Sequence, residues 1–327
     1  MSQPQAILIA GPTASGKSAL AIDLAKAVDG VVINADSMQV YRDLSVLTAR
    51  PQTDEMQGVA HELYGFIGAG DAYSVGRYLA DAKLHIDAVC ACGKVPIFVG
   101  GTGLYFRALL EGLSPVPSID PDIRQHWRKV AQADGAAALH AALKARDAEM
   151  ARRLMPRDTQ RLVRALEVIE STGRSLSYWQ SVPGKPLLEA EKCIKTVVTL
   201  DRDILYKRCD LRFVQMVDGG ALFEVARLQA MQLEPEFPIM RALGVAPLLG
   251  YLDGQCSLGE ATERAQMETR QYAKRQDTWF RRERGIHWFD ATEDPAELPA
   301  LVERVMMTLD RAGETAQVTE NDGLDGR

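Results

Sequence analysis

The sequence lacks the features of secreted, membrane-spanning and cysteine-ligated metal proteins. Its five cysteines are an odd number without a repeated pair, and Cys90 and Cys92 form only a C-x-C. We therefore expect reduced thiols and no cysteine-based metal site. The first five residues hold no basic stretch, and the apolar run after them is too short for a leader or a membrane span. We expect a cytoplasmic protein that does not cross a membrane.

The chain also has no excess of basic residues. Its 327 residues include 38 Lys and Arg against 44 Asp and Glu, which gives a net charge of −6. This argues only weakly against nucleic-acid binding, because binding depends on where basic residues cluster. The length favours one large domain with a smaller one, and a monomer is our default expectation.

A phosphate-binding loop is present near the start. Residues 5–18, QAILIAGPTASGKS, combine a short apolar strand with the pattern G-x-x-x-x-G-K-[ST], and an apolar helix follows. In this context backbone N–H groups, a lysine ammonium and a helix N-terminus face one anion. The predicted diphosphate- or nucleotide-binding residues are Gly11, Pro12, Thr13, Ala14, Ser15, Gly16, Lys17 and Ser18. The Ser18 hydroxyl is the predicted ligand for Mg²⁺.

A second buried strand, residues 31–34, leads directly to Asp36. Because the carboxyl ends of parallel strands face the ligand crevice, Asp36 is predicted to lie beside the loop. There it could hold Mg²⁺ or take a proton from a nucleophile. The alternative is that Asp36 or Ser37 only caps a following helix. A short strand is predicted at 62–67, and a lone histidine beside it, His61, is interpreted as structural.

A third strand, residues 95–99, ends in the sequence GGTG, residues 100–103. In ATP-hydrolysing P-loop proteins this strand usually ends in an Asp that helps to hold Mg²⁺. The neutral hydroxyl of Thr102 at this place makes ordinary phosphoryl transfer less favoured. A tight strand-to-helix turn also needs the glycines, so the two explanations coexist.

The middle of the chain is predicted to be helical throughout. A breaker cluster, SPVPS, lies at 114–118, helical patterns fill 120–180, and a β-branched strand at 195–200 returns to the sheet. The expected architecture is an α/β parallel sheet flanked by helices, with an all-helical insertion domain. The core is assigned to 1–119 and 195–311, the insertion domain to 120–194 and a disordered tail to 312–327.

Two stretches of the chain are basic. Residues 152–174 hold six arginines, of which Arg157, Arg161 and Arg164 are spaced for one helix face. A long helix predicted at 258–284 mixes basic residues with Tyr, Trp and Phe. A solvated face explains either stretch; a surface that contacts RNA phosphates and stacked bases is the alternative.

A helix predicted at 205–216 carries Arg208 and Arg212, four apart on one face. They are candidate clamps for a phosphate group, or else surface arginines. A last strand is predicted at 286–289 and a terminal helix at 296–309.

Taken in order, these stretches resemble the bacterial tRNA dimethylallyltransferase family, also called tRNA isopentenyltransferase. The resemblance runs from Ile7 to about Phe289 and is specific because six separate motifs occur in order. They are GPTASGKS at 11–18, DS at 36–37 followed by Gln39 and Tyr41, TARP at 48–51, VGGTGLY at 99–105, Arg161 with RALEV at 164–168, and YAKRQ at 272–276 followed by Thr278 and Trp279.

The resemblance implies a P-loop kinase-like fold, a requirement for Mg²⁺ and a reaction on the tRNA anticodon loop. The dimethylallyl group of dimethylallyl diphosphate would move to N6 of the adenine 3′-adjacent to the anticodon. The implied catalytic residues are Asp36 as base, Thr102 as orienting hydroxyl and Arg212 as a cation at the leaving diphosphate. The implied tRNA-binding residues are Asp36, Ser37, Met38, Gln39, Thr102, Arg124, Gln160, Arg161, Leu162, Val163, Arg164, Arg241, Lys274 and Arg275.

The chain departs from the family pattern at three places, of which one is His61 and Glu62, which match a His-rich family stretch only in part. Arg50 stands where lysine is common, which keeps the charge, and GVA at 244–246 lacks the family's usual aromatic and cation. Three rival functions stay open at this point. They are a small-molecule P-loop kinase, an isopentenyltransferase acting on free AMP, and a non-catalytic RNA-binding protein. The strand-end glycines count against the first, the basic stretches against the second, and the pairing of Lys17 and Ser18 with Asp36 against the third.

Overall fold

A parallel sheet carries the fold. The computed structural model describes residues 5–283, 285–290 and 303. Within them, the sheet has six strands in the order β3-β2-β4-β1-β5-β6, and every pairing is parallel. The strands are β1 (Ala6–Ala10), β2 (Gly30–Asn34), β3 (His61–Glu62), β4 (Val95–Gly100), β5 (Cys193–Thr199) and β6 (His287–Asp290). The α/β class and the parallel sheet predicted from the sequence are confirmed.

Helices lie in every connection between consecutive strands except that from β2 to β3, as is usual in parallel sheets. They are α1 (Lys17–Val28), α2 (Val75–Ala91), α3 (Gly103–Glu111), α4 (Pro121–Ala133), α5 (Gly135–Arg146), α6 (Ala148–Arg153), α7 (Thr159–Thr172), α8 (Leu176–Ser181), α9 (Arg202–Asp218), α10 (Ala221–Ala230), α11 (Val245–Leu252) and α12 (Leu258–Phe280). Short 3-10 turns occur at Ala190–Lys192 and Pro238–Arg241.

Strand β1 lies in the interior of the sheet, with both faces covered. Ala6, Leu8 and Ala10 pack in one apolar cluster, and Ile7 and Ile9 pack in another. Successive strand residues point to opposite faces, so burial on both faces explains the unbroken apolar run. Strands β4 and β2 lie on one side of β1, and β5 and β6 lie on the other. The carboxyl end of β1 is therefore the switch point at which such sheets bind ligands.

Contacts divide the described chain into two compact units. One holds the sheet and includes the residues up to Leu110 and those from Leu187 onward; the other is Glu111–Pro186. The second unit is built of α4 to α8 and has its own apolar core, which includes Trp127 and Leu166. Both divisions fall earlier in the chain than the boundaries at 119/120 and 194/195 proposed from the sequence.

Two local predictions were wrong. The strand expected at 62–67 shrinks to the two residues of β3, because Leu63 and Gly65 have φ of 63° and 58°, outside the extended region. Ile67 instead makes an isolated parallel bridge with Tyr41. Arg157 precedes α7, which begins after its cap residue Asp158, so Arg157 does not share a helix face with the two arginines that follow it.

Helix ends also differ from the sequence-based bounds. Helix α9 begins at Arg202 rather than at 205, because the Asp201 carboxylate accepts the N–H groups of Asp203 and Ile204. Helix α12 ends at Phe280 rather than at 284. The tail at 312–327 and, apart from Glu303, the helix expected at 296–309 lie outside the described residues. In the part of the chain that is described, no helix is long and apolar enough to cross a membrane.

Candidate active site

The loop between β1 and α1 curls tightly. Ala14 and Gly16 have φ of 63° and 97°, and the Ser15 N–H donates to the Pro12 carbonyl over 3.3 Å. A Cβ added at Gly11 would lie 2.6 Å from the Val198 carbonyl oxygen of β5, so this position needs glycine. The curl is followed at once by the N-terminus of α1, which is the geometry of a phosphate cradle.

Two cations and one carboxylate meet at this loop. The Lys17 Nζ donates to the Pro12 carbonyl over 3.1 Å. Burial lowers the pKa of Lys17 to about 8; the Asp36 carboxylate opposes this shift and the Arg212 guanidinium adds to it. Burial also lowers the pKa of Arg212, but a guanidinium keeps its charge at neutral pH. Arg208, one turn earlier on α9, is exposed.

The backbone of Asp36 is held from both sides by one buried side chain. The Asn34 Oδ1 accepts the Asp36 N–H over 2.8 Å. The Asn34 amide nitrogen donates to the carbonyls of Asp36 and Leu63 over 2.9 Å and 3.1 Å. The Asp36 Oδ1 accepts the Met38 N–H over 2.9 Å. This contact closes a local turn and no helix begins there, so the alternative of a helix cap at Asp36 or Ser37 was wrong.

The turn after β4 is tied to the Asp36 segment. The Thr102 hydroxyl accepts the Ser37 N–H over 3.0 Å and donates to the Ser37 hydroxyl over 3.3 Å. The side chain of Tyr272 on α12 lies close to Thr102. Burial, together with the nearby Asp36 carboxylate, raises the pKa of Tyr272, so this phenol stays protonated at neutral pH. Asp36, Ser37 and Thr102, which the family resemblance implies as site residues, are thus brought together.

Helix α12 joins the phosphate loop to the turn after β4 through Gln276, which is 5% exposed. Its Oε1 accepts the Thr13 N–H over 2.9 Å, and its Nε2 donates to the Gly101 carbonyl over 2.9 Å. A Cβ added at Gly101 would collide with this amide, and one at Gly100 would collide with the Ala35 backbone. The two glycines therefore let the turn and the helix approach the loop closely.

These elements enclose a cavity of about 80 Å³. Its polar side is formed by Thr13, Asp36 and Arg212, with Thr48, Thr269 and Tyr272 nearby. Its apolar side chains are Met38, Leu47, Phe213, Met216, Ala242 and Leu243. A ligand that fits this cavity has an anionic or polar head and a small apolar tail.

Two segments that line the cavity are fixed by side chains from elsewhere. The buried carboxylate of Glu224 on α10 accepts three successive N–H groups, from Ser45, Val46 and Leu47, over 2.8, 2.9 and 3.0 Å. The Gln39 amide donates to the carbonyls of Thr48 and Ala49 over 3.0 and 2.9 Å. Gln39, predicted to contact tRNA, therefore already uses both of its amide hydrogens within the chain.

A second cavity, of about 1030 Å³, is lined in part by Pro12 of the loop. Its charged lining comes from the N-terminus of α9, the last turns of α12 and the two residues after α12, and consists of Asp201, Arg202, Lys274, Asp277, Arg281 and Arg282. Arg275 is exposed, with its guanidinium carbon 5.6 Å from the centre of the Tyr272 ring. Arg241 is exposed at the end of a 3-10 turn. Lys274, Arg241 and Arg275 thus belong to the sheet unit and face solvent.

The remaining predicted tRNA contacts belong to the helical unit. Glu167 is buried and lies 4.0 Å from the Arg124 Nε and 3.5 Å from an Arg164 nitrogen. Arg161 is exposed beside Asp158, with an N–O distance of 3.4 Å, and Gln160 is exposed. Leu162 is fully buried in the core of this unit and Val163 packs against that core. The arginines and Gln160 therefore offer a polar surface, whereas these two apolar side chains support it.

Four residues that shape the site were not predicted from the sequence. They are Asn34, Gln276, Glu224 and Tyr272. Asn34 had a usable signal, since it is the only polar residue in the strand GVVIN. Gln276 and Tyr272 were noticed only as part of a family motif. Glu224 had no signal, because its partners lie 177 to 179 positions away.

Comparison with known proteins gives a consistent picture. The family model described as IPP transferase matches residues 39–283, and that described as isopentenyl transferase matches residues 4–64. A tRNA dimethylallyltransferase from Azorhizobium caulinodans is 49% identical over 294 residues, which is 90% of this chain and 94% of the relative. One from Mesorhizobium japonicum is 51% identical over 283 residues, 86% of this chain and 88% of the relative.

Solved structures agree with this picture. The full-length tRNA isopentenylpyrophosphate transferase from Bacillus halodurans superposes with a TM-score of 0.71 at 31% identity, covering 96% of this chain and 100% of the other. A eukaryotic dimethylallyltransferase acting on tRNA gives a TM-score of 0.74 at 28% identity, covering 90% of this chain and 75% of the other.

Proposed function

This chain belongs to the IPP transferase family. From that premise we propose that it is a tRNA dimethylallyltransferase. It moves the dimethylallyl group of dimethylallyl diphosphate to N6 of the adenine 3′-adjacent to the anticodon of tRNA. The observation that carries the proposal is the cavity at the phosphate loop. It has a cationic end at Arg212 and apolar walls that include Leu47 and Phe213. A prenyl diphosphate has the same two parts, an anionic head and a short apolar tail.

The donor's diphosphate is assigned to the loop. Lys17 and Arg212 supply positive charge where negative charge develops as the C1–O bond breaks, which is where electrostatic stabilisation has most effect. Because the cations are fixed by the fold, little reorganisation is needed at that moment.

Mg²⁺ is the cofactor that this site favours. Ser18 exposes a hydroxyl in the first turn of α1, and the described residues contain no cluster of three His, Cys, Asp or Glu side chains for an all-protein metal site. This donor set suits an ion that takes most of its ligands from phosphate oxygens and water. When bound, the ion would add positive charge at the leaving diphosphate.

The acceptor nitrogen needs help from a base. The exocyclic N6 of adenine is a poor nucleophile because its lone pair is delocalised into the ring. Asp36 is proposed to accept the N6 proton, a role that requires a fixed carboxylate at the reacting atom. The Thr102 hydroxyl, already beside Ser37, is proposed to orient the base. The adenine must leave the stacked anticodon loop to reach these groups.

The RNA itself is assigned to the basic surfaces of each unit. In the sheet unit these are Lys274, Arg275 and the cations around the second cavity; in the helical unit they are Arg124, Arg161 and Arg164. Phosphate contacts of this kind position an RNA without reading its sequence. A tRNA substrate also supports a cytoplasmic location, and we propose a monomer.

The test is a transfer assay with labelled dimethylallyl diphosphate and Mg²⁺. The acceptors are an unmodified tRNA with adenine 3′ to the anticodon, the same tRNA with guanine there, and free AMP. Label on the first acceptor alone supports the proposal. Label on AMP would assign the chain to the free-nucleotide enzymes, and phosphate transfer from ATP without prenyl transfer would make it a kinase.

A further inference from the structure

One wall of the cavity at the phosphate loop is formed by a row of side chains along helix α9. Cys209, Arg212, Phe213 and Met216 all line it, and spacings of three, four and seven residues place them on one helix face. The Cys209 thiol lies toward the Thr13 carbonyl, with a sulfur-to-oxygen distance of 3.9 Å. The row therefore starts at the phosphate loop and runs away from it, and Met216 is its last member.

The rise per residue of α9 gives the distance between members of this row. Each residue advances about 1.5 Å along a helix axis, so Met216 lies about 6 Å beyond Arg212. Arg212 marks the diphosphate end in the proposed function. One isoprene unit, a chain of four carbons with a methyl branch, spans a comparable distance beyond the diphosphate. The second isoprene unit of a longer donor would have to extend past Met216.

The side walls of the cavity are packed closely. Phe213 and Leu47 are 3% and 5% exposed. A Cβ added at Gly244 would lie 2.7 Å from the Phe213 ring and 3.0 Å from a Leu47 methyl carbon, so these side chains have no room to move toward that segment. Met216 is only partly buried against the core. The unbranched side chain of Met216 can therefore be truncated to lengthen the cavity without opening the core.

We propose that Met216 closes the apolar end of this cavity and thereby limits the donor to one isoprene unit. The inference rests on the proposed function and adds the determinant of prenyl chain length. The reaction is the same for either donor. The C1–O bond to diphosphate breaks, the bond from C1 to N6 forms, and the N6 proton passes to Asp36. Only the tail beyond the reacting carbon differs, so Met216 acts on the choice of donor.

The experiment compares dimethylallyl and geranyl diphosphate as donors to unmodified tRNA. The variant is Met216→Ala in the full chain, and the matched control is Met231→Ala, which truncates an exposed methionine at the end of α10. Met216→Ala is expected to raise the ratio of kcat/KM for geranyl over dimethylallyl donor at least about tenfold, as for other changes of a few methylenes in an apolar pocket. Met231→Ala is expected to leave the ratio unchanged.

Two results would overturn the inference. One is a Met216→Ala protein that transfers the dimethylallyl group and shows the wild-type ratio; the other is a folded variant that has lost transfer from both donors. If Met216→Ala does not fold, the smaller truncation Met216→Val carries the test, and its ratio must also rise. Failure of the wild-type protein to prenylate tRNA would overturn the proposed function, which separates that outcome from an unchanged donor ratio.

Discussion

The side chain of Gln276 joins the Thr13 N–H of the phosphate loop to the Gly101 carbonyl of the turn after β4, with both hydrogen bonds at 2.9 Å. An amide is the side-chain group that can accept at one end and donate at the other. The loop for the diphosphate and the turn that carries Thr102 are therefore held in one fixed arrangement by a single residue of α12.

Replacing Gln276 by Glu should break this arrangement. The carboxylate can still accept the Thr13 N–H but faces the Gly101 carbonyl without a proton to donate. A loss of about 1–3 kcal/mol in the free energy of unfolding is expected for a buried polar group left unpaired. Affinity for inorganic pyrophosphate, measured by calorimetry, should fall as well. Gln266→Glu is the control, because Gln266 also donates to a backbone carbonyl, that of Asp210, from the same helix. Equal pyrophosphate affinities in the two variants would contradict this role.

Asp36→Asn tests the proposed base with little change in shape. The amide oxygen can still accept the Met38 N–H, so the local turn should persist. Loss of a general base is expected to lower the single-turnover rate by about 10²- to 10⁴-fold, whereas pyrophosphate affinity should change little. Asp43→Asn serves as the control, because the Asp43 carboxylate also accepts a backbone N–H, that of Ala69. A rate within tenfold of wild type in Asp36→Asn would remove Asp36 from the mechanism.

The parts of the site that follow directly from a strand could be predicted from the sequence. The phosphate loop after β1, Asp36 after β2 and Thr102 after β4 each combine a local apolar run with the polar group at its end. Parallel strands bring such ends to one edge of the sheet. The class of fold followed from the same alternation of strands and helices, whereas the order of the strands within the sheet was not predicted.

The supports of the site could not be predicted in this way. Gln276 and Thr13 are 263 positions apart, and Glu224 bonds a segment 177 to 179 positions away. Neither side chain differs in its local pattern from an ordinary polar residue on an amphipathic helix. The short strand expected at 62–67 failed for a related reason. Leu63 has a positive φ, which cannot be predicted from a leucine in the sequence.

Lys17 predicts a pH dependence for diphosphate binding. Burial has lowered its pKa to about 8, so the ammonium is present below pH 8 and is lost above it in the free protein. A bound anion favours the charged ammonium, so the pKa of Lys17 is higher in the complex than in the free protein. Between these two pKa values the affinity for pyrophosphate falls by up to about tenfold per pH unit as the pH rises. Asp36, Arg212 and Cys209 also face Lys17. Pyrophosphate titrations from pH 6.5 to 9.5 should therefore show a steeper fall in wild type than in Lys17→Arg, whose cation does not titrate there. Parallel curves would contradict this.

Asn34 should act on the reaction through Asp36. Asn34→Asp keeps an acceptor for the Asp36 N–H but loses the donors to the Asp36 and Leu63 carbonyls. Asn34→Ala removes all three bonds, and a loss of about 1–3 kcal/mol in the free energy of unfolding is expected. In both folded variants kcat should fall more than KM for the donor changes, because the base is displaced while the phosphate loop is intact. Urea unfolding and steady-state kinetics measure the two effects. A rise in the KM for the donor with kcat unchanged would show that Asn34 does not position Asp36 for the reaction.

Glu224→Gln tests how the cavity wall is held. The Glu224 carboxylate accepts the N–H groups of Ser45, Val46 and Leu47 with its two oxygens. In the Gln variant one of these oxygens is replaced by an NH₂ group, which cannot accept an N–H. The free energy of unfolding should fall by about 1–3 kcal/mol. Leu47 and Thr48 line the cavity, so KM for dimethylallyl diphosphate should rise while pyrophosphate affinity stays near wild type. Glu234→Gln, at an exposed glutamate after α10, is the control. A stability loss without a change in donor KM would mean that this segment supports the fold but does not shape the wall around the prenyl tail.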